Sequence, residues 1–282
     1  MKAFFSINAG LITLAMFSAA QENIPDAAPI ADGPLVANPE LDTLDMADML
    51  YKQAQAPATK ENRQEYGRLL DLSLRKYLEF TQRFPQSAQA PLAEYRAAMC
   101  LEELGRKDEA HGLFLRLIQT GSPALVAASA YRLATDASSA GEIDKAIQYY
   151  QLVIRNAEQN DLKVDAQYRL GRLFLSNGNP ESAATMFCAV MGNPEADAKF
   201  VLVSRMGYAA LCADTGRLGE AYSEYRKVLE TPGVDNRNRG IATLQAAMLA
   251  TKLKKTAEAQ GLYERLLKDE SLKEMAPEAR MG

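Results

Sequence analysis

The sequence predicts an all-α fold in which helix pairs stack one after another. Helix-forming residues dominate the chain, and hydrophobic residues make up 48% of it, as in folded proteins. A pattern of Gly, then Ala five residues later, then an aromatic residue four further on, recurs along the chain. The Ala positions, which lie 36, 37, 38 and 38 residues apart, are Ala110, Ala146, Ala183, Ala221 and Ala259. So constant a period predicts a solenoid of repeated units.

The first twenty residues have the layout of a secretory signal. Lys2 precedes a short apolar stretch, which ends in small residues at Ala20. We expect residues 1–20 to be removed on export, leaving Gln21 as the first residue, with an uncleaved N-terminal anchor as the alternative. The apolar stretch is short and interrupted by polar residues, so we expect no transmembrane span in the mature chain.

The rest of the chain divides into four parts. Residues 21–40 are rich in Pro, Ala and Asp, and we expect them to form a flexible linker. Residues 41–90 predict an N-terminal helical cap or partial repeat, in which a connector around Pro57 joins two helices. Five repeats follow over residues 91–270. Residues 271–282 read as the opening of a further repeat and predict a C-terminal stub.

Each residue of the repeating pattern has a physical role. A Gly ends the first helix of a pair, because it adopts the left-handed conformation that reverses the chain. The Ala after it lies where the two helices of a pair approach closely, and the aromatic residue fills the space between neighbouring pairs. A second small residue stands seven positions before each Gly, at Ala98, Ala134, Gly171 and Ala209. In the fifth copy Lys254 replaces the Gly. The longer connectors that the period implies are expected at residues 120–126 and 192–197.

The pattern resembles the tetratricopeptide repeat, and the resemblance covers roughly residues 63 to 270. It implies a right-handed α-solenoid with a concave groove that binds proteins. The chain departs from the family because its period exceeds 34 residues, it has no Trp, and its last copy lacks the Gly. The stretch from Tyr77 to Arg96 is similar to repeats of bacterial periplasmic and outer-membrane-assembly proteins, including the Tol–Pal-associated division coordinator.

The resemblance also implies which residues line the groove. A Tyr followed by Arg recurs in three successive first helices, and the family's groove includes this Tyr position and positions one and two turns later. Carried onto this chain, the groove residues are Tyr95, Met99, Glu102, Tyr131, Thr135, Tyr168, Arg172, Met206, Leu244 and Met248. Tyr and Arg are enriched at binding hot spots, and Met suits adaptable contacts. The alternative is that the Tyr–Arg pairs only pack the repeats together, each Arg reaching a neighbouring acid.

Other classes of function find little support. The formal charge is −4 and no basic stripe appears, so we expect no nucleic-acid partner. The three cysteines form no C-x-x-C pair and are expected to be small core residues. His111 is the one histidine, and we expect it to face solvent or cap a helix. No catalytic motif is present, so we expect neither an enzyme nor a bound cofactor or metal.

The leading hypothesis is an exported scaffold or adaptor, periplasmic or secreted, in the bacterial cell envelope. It would bind a peptide or helical segment of another envelope protein in its concave groove. The alternative is a structural protein of the envelope that self-associates into a homo-oligomer through a thinly covered C-terminal face.

Overall fold

A computed structural model describes residues 38–268, which form thirteen α-helices and no strand. The helices are α1 (Pro39–Gln55), α2 (Pro57–Glu61), α3 (Arg63–Arg83), α4 (Ala90–Glu103), α5 (Lys107–Thr120), α6 (Pro123–Ser139), α7 (Ile143–Asn156), α8 (Asn160–Ser176), α9 (Pro180–Met191), α10 (Ala198–Asp214), α11 (Leu218–Glu230), α12 (Asn236–Lys252) and α13 (Thr256–Lys268). The predicted signal peptide, nearly all of the linker and the C-terminal stub lie outside the described residues. No helix between residues 38 and 268 has the length and apolarity needed to cross a membrane.

The N-terminal helices follow from their capping residues. Pro57 opens the short helix α2 within its first turn, where the missing backbone N–H costs nothing. The Asn62 side chain then caps α3 by accepting from the backbone N–H of Glu65. Helix α3 packs on α1, since the Ser73 hydroxyl donates to the backbone carbonyl of Ala47 at 2.8 Å.

The ten helices from α4 to α13 form five consecutive pairs, and the pairs stack into the right-handed α-solenoid that the sequence predicts. At four of the five turns within a pair, a Gly with a φ angle between 73° and 79° follows the first helix, at Gly105, Gly141, Gly178 and Gly216. The next backbone N–H reaches back to a carbonyl of that helix, as from Arg106 to Leu101 at 2.8 Å. This bonding satisfies carbonyls that would otherwise lack a partner at the helix end.

The fifth turn keeps the same geometry without a Gly. Lys254 has a φ of 58°, and the N–H of Lys255 donates to the Ala250 carbonyl at 2.9 Å. A side chain in the left-handed region costs roughly 1–2 kcal/mol, because its Cβ crowds the backbone. The repeat therefore imposes its turn on a residue that disfavours it.

Small residues let the helices approach each other closely. Ala98 and Ala110, at the contact within the first pair, are fully buried, and their counterparts in later pairs are buried as well. The closest approach surrounds Phe187, whose ring lies between two glycines on successive first helices. A Cβ at Gly171 or at Gly207 would lie 2.8 Å from an atom of this ring.

Two details differ from the predictions. Cys100 and Cys212 are buried, but Cys188 is exposed on α9, so its assignment to the core was wrong. The expected long connector at residues 120–126 is also wrong, because only residues 121 and 122 separate α5 from α6. Here the extra length lies in α6, which has 17 residues. The second expected connector is confirmed, because residues 192–197 separate α9 from α10.

The contact around Phe187 generates a paired test. Gly207→Ala is expected to lower the free energy of unfolding by about 1–3 kcal/mol, because the fully buried ring cannot move aside. Gly112 lies in α5 with no atom within 4 Å of an added Cβ, so Gly112→Ala is expected to stabilise the protein by about 1 kcal/mol. Urea unfolding of both variants measures the two values. Equal effects would contradict the proposed crowding.

The turn at Lys254 gives a second test. Lys254→Gly is expected to stabilise the protein by about 1 kcal/mol and to raise its melting temperature, because Gly relieves the left-handed strain. Lys254→Ala removes the same side chain but keeps a Cβ, so we expect its melting temperature to match that of the unchanged chain. A gain from the Ala variant as large as that from the Gly variant would locate the effect in the lysine side chain instead.

Candidate functional site

The predicted groove residues all lie on the first helices of the five pairs, whose shared surface we call the inner face. The structure buries half of them: Tyr95, Met99, Tyr131, Tyr168 and Leu244. The other half are partly or fully accessible: Glu102, Thr135, Arg172, Met206 and Met248. Only the second set is accessible enough to contact a ligand directly. That the ten residues line a binding groove stays a prediction.

The buried tyrosines pack against aromatic residues of their own second helix. The rings of Tyr95 and Phe114 have centroids 5.7 Å apart. The rings of Tyr131 and Tyr150 meet edge to face at 6.2 Å. Such contacts stabilise a pair beyond the area they bury. Burial also raises the pKa of the Tyr95 hydroxyl, against the lowering effect of nearby Arg132.

The arginine after each tyrosine joins one pair to the preceding one. Arg96 donates to Asp48 of α1, and Arg132 forms an ion pair with Glu102 of α4 at 3.6 Å. The first contact joins α4 to helix α1 of the cap, and the second joins the first helices of two successive pairs. We call the set of Arg96, Arg132 and Arg169 the arginine ladder.

The third arginine of the ladder uses both charge and stacking. Arg169 donates to Asp165 of its own helix at 2.9 Å, and its guanidinium lies 5.5 Å from the ring centroid of Tyr131 on the preceding first helix. The Tyr131 hydroxyl also donates to Asp165, which is only 7% exposed. Burial, reinforced by the Asp165 charge, raises the pKa of Tyr131. Charged hydrogen bonds of this kind hold the two helices in register.

A second carboxylate closes the N-terminal end of the inner face. Glu103 accepts hydrogen bonds from Tyr51 and Gln55 of α1, both at 2.7 Å, and from Tyr66 of α3. Sequence reasoning missed these donors, because the pattern of the repeats does not extend to the residues of the cap. The three donors attach the cap to α4 and cover this carboxylate.

Arg172 differs from the ladder. Its guanidinium lies 5.8 Å from the ring centroid of Tyr168, on the same helix one turn earlier. No carboxylate among the described residues lies within ion-pair distance of it. Beyond Arg172 the two accessible residues of the predicted groove are apolar: Met206 on α10 is half-buried, and Met248 on α12 is 37% exposed. Exposed charges lie at the ends of the same two helices, at Asp214 and Lys252, so the inner face stays partly charged.

His111 has a partner that the sequence did not indicate. Its Nε2 lies 2.8 Å from Asp136 of the next first helix, and the Lys107 ammonium lies 3.6 Å from the same carboxylate. Within residues 38–268 no group of three His, Cys, Asp or Glu side chains could hold a metal ion. The His111–Asp136 pair adds to the contacts between the first and second pairs.

Comparison with known families identifies the repeats. Two family models described as tetratricopeptide repeat match the chain, one over residues 92–120 and the other over residues 131–191. No curated protein matches the chain.

Solved structures share the fold at low sequence identity. YrrB, described as a TPR protein with an unusual peptide-binding site, is 17% identical with a TM-score of 0.55, covering 72% of this chain and 98% of its own. PilF of Pseudomonas aeruginosa is 14% identical with a TM-score of 0.56, covering 84% and 99%. The C-terminal part of a TPR repeat-containing protein from Cytophaga hutchinsonii is 14% identical with a TM-score of 0.60, covering 84% and 94%. The family models thus identify tetratricopeptide repeats over residues 92–120 and 131–191, and the solved structures share the fold, an all-helical solenoid.

Proposed function

We propose that this chain is an exported scaffold or adaptor that binds a peptide or helical segment of another protein on its inner face. One observation carries the proposal. Four consecutive first helices each leave a different side chain accessible at the same register, namely Thr135, Arg172, Ala210 and Met248. Side chains that repeat along a solenoid form an extended surface, which suits an elongated partner.

The packing of the inner face supports this function. The arginine ladder and the buried tyrosines fix the spacing of the first helices before any partner arrives. A surface that is already ordered loses little conformational entropy on binding, so more of the contact energy appears as affinity. The fold is also compatible with peptide recognition, since YrrB, which shares it, is described with a peptide-binding site.

The absence of a catalytic constellation in the sequence favours a binding role. The titratable groups of the inner face pair with one another, as in the Arg169–Asp165 contact, where they stabilise packing. We therefore propose that the protein acts by holding its partner and not by chemistry.

The location of the function rests on the sequence. The signal-like residues 1–20 favour export to the periplasm or beyond, and the stretch from Tyr77 to Arg96 is similar to repeats of the Tol–Pal-associated kind. PilW, a type IV pilus biogenesis factor, shares the fold at 14% identity with a TM-score of 0.50, which is consistent with an envelope role. The partner we propose is accordingly an envelope protein.

Self-association is the second candidate, and one observation favours it. Leu267, near the end of α13, is 47% exposed, although its sequence neighbour Leu266 is buried in a cluster with Leu244. A face of this kind at the last pair could contact a second copy. Light scattering separates the two functions, because a mass that stays at that of the monomer at all concentrations excludes a homo-oligomer.

Site-specific crosslinking tests the inner face. A photo-reactive amino acid at Thr135 or Met248 is expected to capture the same protein in cells, because both positions face one bound segment. The matched control is Leu115 on the second helix α5, which is 44% exposed and equally able to accept the probe. We expect no capture of that protein from position 115. Equal capture from both faces would contradict the proposal.

The proposed export of the chain can be tested separately. The intact mass of the chain isolated from its native compartment is expected to correspond to a protein that begins at Gln21. Fractionation should place it outside the cytoplasm. A chain that retains Met1 and stays in the cytoplasm would exclude export while leaving the inner face as a binding surface.

A further inference from the structure

One apolar position of each second helix lies towards the pair that follows. It stands eight residues after the packing Ala, and in α11 it is Leu229, which lines a groove shared with α13. All five copies of the position are apolar, namely Ile118, Ile154, Met191, Leu229 and Leu267. The first four are half-buried, whereas Leu267 is 47% exposed. Helix α13 therefore keeps the surface with which the earlier second helices contact a following pair.

The groove between α11 and α13 shows how this contact is arranged. Arg226 of α11 forms an ion pair with Glu258 of α13 at 3.8 Å. Glu230 and Arg265 line the same groove further along the two helices. Residues of opposite charge thus flank the apolar contact at Leu229, on both sides of it.

The corresponding side of α13 consists of Glu264, Leu267 and Lys268, and we call it the C-terminal face. Counted from the packing Ala, Glu264 stands where Arg226 stands in α11, and Lys268 stands where Glu230 stands. Both charged residues are exposed, and their side chains pair with each other at 3.0 Å. Along the helix, the C-terminal face presents an acid, then an apolar side chain, then a base.

Helix α3 carries a matching surface at the other end of the array. Ser73 takes the place of the packing Ala in this helix, so positions 72, 75 and 79 correspond to the groove positions 258, 261 and 265 of α13. We call these residues the N-terminal face: Leu72, Arg75 and Glu79. Leu72 is half-buried, and the Arg75 and Glu79 side chains are 72% and 38% exposed. This face therefore presents a base and an acid in the order that complements the C-terminal face.

Helix α1 adds apolar surface at the same end of the array. Asp48 and Tyr51 lie on the side of α1 that contacts α4. Met46 and Met49 lie on the opposite side of the helix and are 45% and 47% exposed. The N-terminal end thus exposes apolar side chains, as the C-terminal end does at Leu267.

We propose that the C-terminal face of one copy contacts the N-terminal face of a second copy, in the register that successive second helices use within the chain. In this register Leu267 packs against Leu72 and the aliphatic stem of Arg75. Glu264 then lies near Arg75, and Lys268 lies near Glu79. A second copy fits because the two faces agree in the position of the apolar contact and complement each other in charge.

The proposed contact joins two different faces, so it does not close on itself. Each added copy leaves one C-terminal and one N-terminal face available, and the copies form an open chain. This inference rests on the second candidate function and names both surfaces of the contact. The contact does not use the inner face, so its failure would leave the proposed binding of another protein untouched.

Sedimentation velocity of the purified full chain, over a hundredfold range of concentration, tests the contact. We expect the mean mass to rise with concentration beyond that of a dimer, because an open chain has no last member. Leu267→Asp should weaken the association at least about tenfold, since it places a charge in the apolar contact. Leu115→Asp is the matched control, because Leu115 is 44% exposed on α5, and it should leave the association unchanged.

Two complementary variants test the direction of the contact. Leu267→Asp changes only the C-terminal face, and Arg75→Glu with Glu79→Lys reverses the charges of the N-terminal face. At a concentration where the unchanged chain associates, each variant alone should be monomeric. Their equimolar mixture should form a dimer and nothing larger, because one intact face of each kind remains.

A charge exchange covers the case that Leu267→Asp fails to fold. Glu264→Lys with Lys268→Glu should prevent association, and adding the same change of both charges at Arg75 and Glu79 should restore it. A dimer formed by the variant of the N-terminal face alone would overturn the head-to-tail contact and leave self-association intact. A mixture that stays monomeric would also overturn it. A mass that stays at that of one chain would overturn both, and would assign the C-terminal face to another occupant, such as residues 269–282 of the same chain.

Discussion

Each second helix of this solenoid carries an aromatic ring that must fit beneath the first helix of its own pair and beside the first helix of the next. This requirement sets the distance between pairs, because a buried ring can be neither compressed nor left with a void around it. At Phe187 the fit is closest: the ring lies between Gly171 and Gly207, and both glycines leave no room for a Cβ. The small residues of the first helices therefore serve two purposes. They let the helices cross closely, and they make room for the aromatic rings of the second helices.

The same constraint explains where the arginine ladder ends. Arg96, Arg132 and Arg169 stand two residues before the small residue of their helices, and in α10 this position is Gly207. An arginine there would place its Cβ against Phe187, so the fourth pair cannot continue the ladder. The end of the arginine ladder thus follows from the packing of one ring. Arg172 lies at that boundary, beyond the last acid that the ladder uses.

How much could be read from the sequence depended on whether a feature repeats. The helices, their turns and the pairing follow from the period, and the left-handed turn was evident from Gly105 and its counterparts. The same turn at Lys254 was hidden, because tertiary contacts there override the preference of the residue. Cys188 shows a similar limit: it neighbours the buried Phe187 in sequence, yet its side of α9 is exposed. Spacing alone cannot show whether a residue next to a core residue in the sequence is itself buried.

The inner face shows how far function can be predicted from the sequence. Spacing placed Tyr95, Tyr131 and Tyr168 on the correct helices, but it could not tell a ring that contacts a ligand from a ring that supports the surface. The structure assigns them packing partners on the second helices, while the accessible contacts fall on residues such as Thr135 and Met248. Buried aromatic rings hold the helices that carry the accessible side chains, so their removal would disturb binding through the fold. Substitutions that keep the rings and change only accessible side chains are therefore the ones that report on recognition.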